Sequence, residues 1–193
     1  MSQDFAAFID ESSAQRGPAH QEYLICAALI PAPRIEDARA RMSDLLRPGQ
    51  RKLHWTDESS KSKLRIVETI AGIEPLSVVV SHLSERMKRT ERFRRKCLEQ
   101  IYYYLADEQV WDLTLECRTP AQDKKDRAHI VALQNQWLSK RMRITHLRGG
   151  DEPLLAIADA VLGAINAHHR GEGEYWKVLK NVVVDHLESP AAP

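Results

Sequence analysis

Apolar residues along the chain fall into runs that predict strands separated by helices. YLICAALI (23–30) and PLSVVVSHL (75–83) are apolar runs of strand length, and WDLTLEC (111–117) alternates strictly between apolar and polar positions. Residues 5–11 and MRITHL (142–147) complete a set of five predicted strands. Helical spacing is predicted for residues 35–46, 59–72, 87–106, 123–139 and 153–168. EYWKVLKNVVVDHL (174–187) is expected to form either a last helix or a helix and a strand.

The predicted order is three successive strands followed by helices that alternate with strands. This order favours an α/β fold with a mixed five-stranded sheet flanked by helices and a helical insertion, 31–75, between strands two and three. It is also the strand order of the ribonuclease H-like fold, which the chain resembles in this respect. We expect a single domain over residues 1–186 and a flexible tail over 187–193.

Composition narrows the class of protein without naming an activity. The 193 residues are 43% hydrophobic and 28% charged, with a net charge of +1, so no global field attracts nucleic acid or membrane. Cys26, Cys97 and Cys117 lie in apolar segments without paired spacing, which is typical of reduced core residues. With neither a long apolar run nor a secretory signal, we expect a cytoplasmic protein that does not enter membranes.

Acidic residues stand at three comparable places in the predicted order. Asp10 is near the end of the first strand, Glu116 is near the end of the fourth, and Asp159 follows the fifth in an amphipathic helix. If strands one and four are parallel neighbours, Asp10 and Glu116 meet at their carboxyl ends, where open sheets bind ligands. Asp159 lies just outside the apolar stripe of its helix, so it can face the sheet edge.

Two interpretations of these acids stay open on the residues alone. A single acid at a strand end or helix border is more often solvated surface. Three acids brought together repel one another unless cations neutralise them, and Mg²⁺ and Mn²⁺ prefer oxygen ligands. Two such ions can bind both the attacking and the leaving oxygen of a phosphodiester.

Several short motifs resemble those of one family. FIDES, YLICAALI, LHWTD, the strand ending in Glu116, and LLAIADAVLGAI are similar to the landmarks of the family called domain of unknown function 3800. Its members are regarded as ribonuclease H-like predicted nucleases. The resemblance implies that Asp10, Glu116 and Asp159 are metal-binding acids, with Glu11 and His54 as catalytic companions.

Other residues have both a functional and an ordinary interpretation. His54 can position a phosphate or move a proton, or it can simply pack beside Trp55. Lys88, Arg92 and Arg95 fall opposite the apolar stripe of their helix, where they either bind phosphates or form a solvated face. Other histidines, including His146, lack metal-ligand spacing and are interpreted as structural or solvated.

Two functional hypotheses follow from these observations. In the first, the chain is a nuclease that hydrolyses RNA or DNA with Mg²⁺ or Mn²⁺ held by Asp10, Glu116 and Asp159, and Glu11 or Glu152 completes the shell. In the second, a ribonuclease H-like scaffold with a weak or lost site serves binding or assembly, and its apolar C-terminal helix pairs two subunits as a homodimer. The distance between the three carboxyl groups discriminates the two hypotheses.

Overall fold

A mixed six-stranded sheet forms the centre of the fold in the computed structural model, which describes residues 4–85 and 91–189. The strands are β1 (Phe5–Arg16), β2 (His20–Pro31), β3 (Leu76–Glu85), β4 (Asp112–Glu116), β5 (Arg143–Leu147) and β6 (Val183–Glu188). Their order in the sheet is β5-β4-β1-β2-β3-β6. β1, β2 and β3 form an antiparallel meander, whereas β4 runs parallel to β1 and β5 runs parallel to β4.

The helices cover both faces of this sheet. They are α1 (Ile35–Ser43), α2 (Ser60–Ile73), α3 (Glu91–Asp107), α4 (Pro120–Gln134), α5 (Leu155–His169) and α6 (Glu174–Leu179). Buried residues of α1, α2, α5 and α6 share one core with β1 and β2, and those of α3 and α4 share a second core on the opposite face. The predicted α/β class and the ribonuclease H-like order of the first five strands are therefore confirmed.

A sixth strand extends the five that the sequence predicts. Residues after α6 pair with β3 in parallel, beginning with the bond from the Ser77 N–H to the Val182 carbonyl at 2.7 Å. Val183 and Leu187 are partly buried against the two cores, which explains why this segment is held on the sheet. Leu187 and Glu188, expected in the tail, belong to β6.

The first hairpin is longer than its apolar pattern indicates. β1 and β2 stay paired as far as Arg16 and His20, and Arg16 forms an ion pair with Glu22 at 2.6 Å across the hairpin. Gly17 makes the turn with a φ of 70°, which is a conformation that glycine adopts without steric cost. Asp10 is therefore not at the end of β1 but just beyond the end of the pairing between β1 and β4.

The insertion between β2 and β3 folds onto the same sheet face as α5. It contains α1, a 3₁₀ turn at Trp55–Asp57 and α2, whose N-terminus is capped by Ser59 accepting from the Ser62 N–H at 3.2 Å. Leu53 and Trp55 are buried in the core that holds α5. This packing places residues 51–57 directly beside the part of α5 that carries Asp159.

Helix α5 is enclosed by the rest of the fold. It contacts β1, β2, α2 and α6, and its residues from Leu155 to Ala167 are buried except for Asp159, which is partly exposed. Its apolar surface is therefore used within one subunit, and the homodimer expected from it has no support. Within residues 4–85 and 91–189, no helix is both long and apolar enough to cross a membrane.

Candidate functional site

Asp10 and Glu116 lie side by side on the two central parallel strands. β1 and β4 are in register from Ala6–Asp112 to Ile9–Leu115, and Asp10 and Glu116 are the next residues along each strand. Because side chains alternate between the faces of a strand, both acids lie on the face that carries α5. Asp159 of α5 faces the same position, and we call these three residues the acid cluster.

The pKa of Asp10 reports how little its negative charge is compensated. Burial, the charge of Asp159 and the charge of Glu116 raise this pKa from 3.8 to about 8. The Glu11 N–H, which donates to Asp10 Oδ1 at 2.8 Å, and the charge of Lys52 act against the rise. A carboxyl group with such a pKa stabilises the fold poorly when ionised, so a cation beside it is favourable.

Asp159 is held in place by the insertion. Burial raises the pKa of Asp159, although the Trp55 N–H, which donates to Oδ2 at 2.8 Å, lowers it. The Trp55 indole fills the space over Gly163, one turn further along α5, where an added Cβ would lie 2.3 Å from Trp55 Cδ1. Tyr175 meets the same indole edge to face with centroids 5.1 Å apart. Trp55 thus fixes residues 51–57 relative to the carboxylate of Asp159.

His54 lies at the rim of the acid cluster. Its side chain is 43% exposed, and its charge lowers the pKa of Asp159. Its Nδ1 lies 2.7 Å from Thr56 Oγ1 and 3.4 Å from a carboxylate oxygen of Asp57. These contacts orient the ring, and its role as a proton carrier or phosphate contact stays a prediction.

Lys52 enters the acid cluster from the insertion. Its ammonium group donates to both carboxylate oxygens of Glu116 at 2.6 Å. The aliphatic part of the side chain passes over Gly149, where an added Cβ would lie 2.5 Å from Lys52 Cε. A positive charge thus already lies beside one of the three acids.

Glu11 and Glu152, the acids expected to complete a metal shell, are bound to arginines instead. Glu11 lies on the opposite face of β1 from Asp10, where it forms an ion pair with the buried Arg94 of α3. Glu152 is buried and accepts from Arg39 Nη2 at 2.7 Å. Each carboxylate is already paired with a guanidinium group in the metal-free protein, and direct metal contact by Glu11 or Glu152 stays a prediction.

Arg94 is the centre of a second group of charges, on the face opposite the acid cluster. Its guanidinium group also pairs with Asp126 of α4, with Nη2 and Oδ2 3.0 Å apart. Arg118 adds bonds at 3.2 Å to Asp126 and to Glu91. We call Glu11, Arg94, Arg118, Asp126 and Glu91 the arginine cluster.

His146 lies beside this arginine cluster rather than in solvent. Asp123, Asp126 and His146 are the only three potential ligand groups among the described residues whose atoms all lie within 4.8 Å of one another. The acid cluster, whose members are all described, forms no such close group. However, burial alone would raise the pKa of Asp126, and hydrogen bonds from His146 and Arg94 outweigh this effect and lower the pKa to about 2. Asp126 is already compensated, and two guanidinium groups beside it repel a cation.

The basic helix predicted to bind nucleic acid is α3. Arg92 and Arg95 are exposed on it, and Lys88 lies outside the described residues. α3 packs against β2 and β3 on the face opposite the acid cluster. Nucleic-acid binding by Arg92 and Arg95 stays a prediction.

A cleft of about 160 Å³ connects the two faces at the end of the β1–β4 pairing. Asp10 and Glu116 line one side of it, and Glu11, Arg94 and Arg118 line the other. A phosphate group that enters this cleft meets carboxylates and guanidinium groups together.

Sequence reasoning missed Lys52 and Arg94. Lys52 and His54 are two residues apart in an extended segment, so their side chains share one side, and this spacing is a usable signal. Arg94 is indistinguishable in sequence from its basic neighbours, because only the tertiary partner Asp126 explains its burial.

Comparison with known proteins supplies similarity of fold alone. No family model matches the chain, and no curated protein matches it. Bst-RNase HIII in complex with Mn²⁺ is similar with a TM-score of 0.45 and 11% identity, over 93% of this chain and 54% of that one. Ribonuclease H2 from Pyrococcus horikoshii OT3 gives a TM-score of 0.45 and 17% identity, over 90% of this chain and 75% of that one.

A mutant protein of Bst-RNase HIII gives a TM-score of 0.43 and 12% identity, over 88% of this chain and 56% of that one. The chain therefore spans about half the length of the Bst proteins that it resembles. At these identities and TM-scores the comparisons carry no argument about chemistry. The strand order described above establishes that the chain has a ribonuclease H-like α/β fold.

Proposed function

We propose that the chain is a divalent-metal-dependent nuclease that hydrolyses phosphodiester bonds of RNA or DNA, and that it belongs to the domain of unknown function 3800 family. Asp10, Glu116 and Asp159 are the proposed metal ligands, and Mg²⁺ or Mn²⁺ is the proposed ion. The substrate is a nucleic acid whose phosphate enters the cleft beside Asp10 and Glu116.

The observation that carries this proposal is the uncompensated charge of Asp10. A carboxyl group with a pKa near 8 beside two further acids is costly for the metal-free fold. Structural partners lower the pKa of a carboxyl group, as His146, Arg94 and Arg118 do at Asp126. A site that binds a cation needs carboxylates that no protein group neutralises, because the bound cation supplies the positive charge.

The residues of the acid cluster fit a hard divalent cation. They offer carboxylate oxygens alone, the ligand type that Mg²⁺ and Mn²⁺ prefer. The Lys52 ammonium group, 2.6 Å from both oxygens of Glu116, is a cation held by one of the proposed ligands. The three carboxyl groups do not all lie within 4.8 Å of one another, so their spacing in the metal-free protein does not favour the nuclease hypothesis, which rests on charge balance instead.

The side chains of this site have distinct proposed roles. Asp10, Glu116 and Asp159 bind the ions, and the Trp55 N–H keeps the Asp159 carboxylate oriented. His54, at the rim, transfers a proton to or from the solvent side of the cleft. When bound, the ions supply the positive charge that stabilises the attacking and leaving oxygens of the phosphodiester.

Metal binding and cleavage by purified variants test the proposal. Calorimetric titration with Mn²⁺ is expected to show binding by the parent and its loss in Asp159→Asn, together with loss of cleavage of single-stranded and duplex RNA and DNA. Asp112→Asn is the matched control, because Asp112 is an exposed acid at the opposite end of β4. If Asp159→Asn binds Mn²⁺ as the parent does, the nuclease proposal fails and the binding or assembly scaffold is left.

A further inference from the structure

Lys52 differs from other basic residues near the acid cluster in being directly bonded to it. Its ammonium group bonds both oxygens of Glu116, and its charge lowers the pKa of Asp10 and of Asp159. One side chain thus acts on all three acids at once. The motif LHWTD begins at the residue after this lysine.

We propose that Lys52 is an internal counter-ion of the acid cluster that a divalent cation must displace in order to bind. This inference rests on the proposed function, since it specifies how the proposed metal site is occupied before the metal arrives. In the metal-free protein the ammonium group neutralises Glu116. Binding of the metal ion and bonding of Lys52 to Glu116 then exclude each other.

The surroundings of Lys52 fit a displaceable cation better than a permanent ion pair. The side chains of Lys52 and Glu116 are 28% and 25% exposed, so the pair is open to water and contributes little to stability. The permanent pair of Arg94 with Asp126 is by contrast buried, with side chains 5% and 4% exposed. A lysine also binds as a point charge on a flexible stem, without the fixed fork of an arginine.

Gly149 leaves room for this lysine and for its departure. An added Cβ at Gly149 would lie 2.5 Å from Lys52 Cε and 2.9 Å from Glu116 Oε1. The turn between β5 and α5 therefore presents bare backbone where Lys52 and Glu116 meet. Gly149 has no side chain that could hold the lysine stem in place.

Competition between the ammonium group and the metal ion has a measurable consequence. Removing the positive charge of Lys52 should strengthen metal binding, although most substitutions beside a binding site weaken it. Arg51 supplies the matched control, because it is the adjacent residue, is exposed, and carries the same charge. Arg51→Gln changes the net charge as Lys52→Gln does but breaks no bond to Glu116.

Calorimetric titration of the metal-free full chain with Mn²⁺ tests the proposal. We expect Lys52→Gln to bind Mn²⁺ about five- to tenfold more tightly than the parent, and Arg51→Gln to differ from it by less than about twofold. In the double variant Asp10→Asn, Lys52→Gln the gain should disappear, because the competing ion sits at the acid cluster.

The outcomes separate this inference from the proposed function. Equal or weaker Mn²⁺ binding by Lys52→Gln overturns the counter-ion role, as does an equal gain in Arg51→Gln, which would reflect net charge alone. Mn²⁺ binding that is the same in the parent and in Asp10→Asn overturns the proposed metal site itself, whatever Lys52 does.

Discussion

The two faces of β1 carry similar numbers of charged side chains. On one face nearby positive charges balance the carboxylates, and on the other face they largely do not. Asp10 and Glu11 are adjacent, yet Asp10 joins the acid cluster and Glu11 joins the arginine cluster. In the acid cluster one lysine bonds to one of three carboxylates, and the pKa of Asp10 rises to about 8. In the arginine cluster, His146 and two guanidinium groups bond to Asp126, whose pKa falls to about 2.

We infer from this difference that charge balance, more than closeness of ligand atoms, decides where a cation binds in this protein. Asp123, Asp126 and His146 lie within 4.8 Å of one another, but Arg94 and Arg118 already supply the positive charge there. The acid cluster is less tightly gathered and far less compensated. We therefore propose the acid cluster as the cation site and interpret the arginine cluster as structural.

The largest expected effect comes from removing the centre of the arginine cluster. Arg94→Ala leaves the buried Asp126 and the carboxylate of Glu11 without their strongest partner, so the free energy of unfolding should fall by about 3–5 kcal/mol. Urea denaturation measures this change. Arg95→Ala, an exposed neighbour on α3, should change it by less than about 0.5 kcal/mol. Equal effects of the two variants would contradict the structural role.

A second variant should affect the acid cluster and spare the arginine cluster. Gly163→Ala forces the Trp55 indole away from α5 and weakens the bond from the Trp55 N–H to Asp159. We expect a loss of about 1–3 kcal/mol of stability from overpacking, together with weaker Mn²⁺ binding. Ala164→Gly, at the next position of α5, lowers stability by about 1 kcal/mol through helix propensity and leaves Trp55 in place, so it controls for a general loss of stability. Unaltered Mn²⁺ affinity in Gly163→Ala would show that Trp55 does not position Asp159.

The adjacent residues Asp10 and Glu11 should respond with opposite signs. Asp10→Asn removes an uncompensated carboxylate, so the metal-free protein should gain roughly 1–3 kcal/mol near pH 8. Glu11→Gln removes a partner of Arg94 and should lose about 1–2 kcal/mol. Thermal unfolding of both variants measures the two changes. A loss of stability in Asp10→Asn would identify Asp10 as a structural hydrogen-bonding residue.

The gain in Asp10→Asn should also depend on pH. Because the pKa of Asp10 in the fold, about 8, lies above its ordinary value of 3.8, the folded protein retains a proton that the unfolded chain releases. The parent therefore loses stability as the pH rises from about 4 to about 8, and asparagine removes this loss. The advantage of the variant should be small near pH 4 and largest at pH 8. Asp126 works in the opposite direction, since its lowered pKa gives stability that is lost as the pH falls towards 2.

The smallest expected effect concerns the exposed side of α3. Arg92 and Arg95 are exposed residues of α3 on either side of Arg94, which lines the cleft. Replacing both by alanine should reduce the salt dependence of nucleic-acid binding by about 0.7–0.9 in log–log slope per lost contact, with Mn²⁺ affinity unchanged. The double variant Lys177→Ala, Lys180→Ala controls for net charge, because both lysines are exposed and lie at α6. An unchanged slope would return this face to plain solvated surface.

The sequence predicted the fold more completely than it predicted which charged side chains pair with one another. Phe93, Cys97, Ile101 and Leu105 recur at the helical spacing that predicts α3, and all four are buried on it. Helix α4 begins at Pro120 rather than 123, because Thr119 and Gln122 form a capping box around a proline at the first turn.

The division of acids between the two faces was only partly predictable. Strand alternation separates Asp10 from Glu11, so the sequence could have assigned them to different sites. Whether an acid meets a cation depends on residues far away in the chain. Arg94 reaches Glu11 across 83 residues and Lys52 reaches Glu116 across 64, and no local pattern reports such pairs.

Crystals soaked in Mn²⁺ and measured at the manganese absorption edge test the central claim most directly. We predict an anomalous peak between the carboxyl groups of Asp10, Glu116 and Asp159, with none between Asp123, Asp126 and His146. A peak at the second position and none at the first would contradict the account, because it would show that ligand proximity outweighs charge balance in this protein.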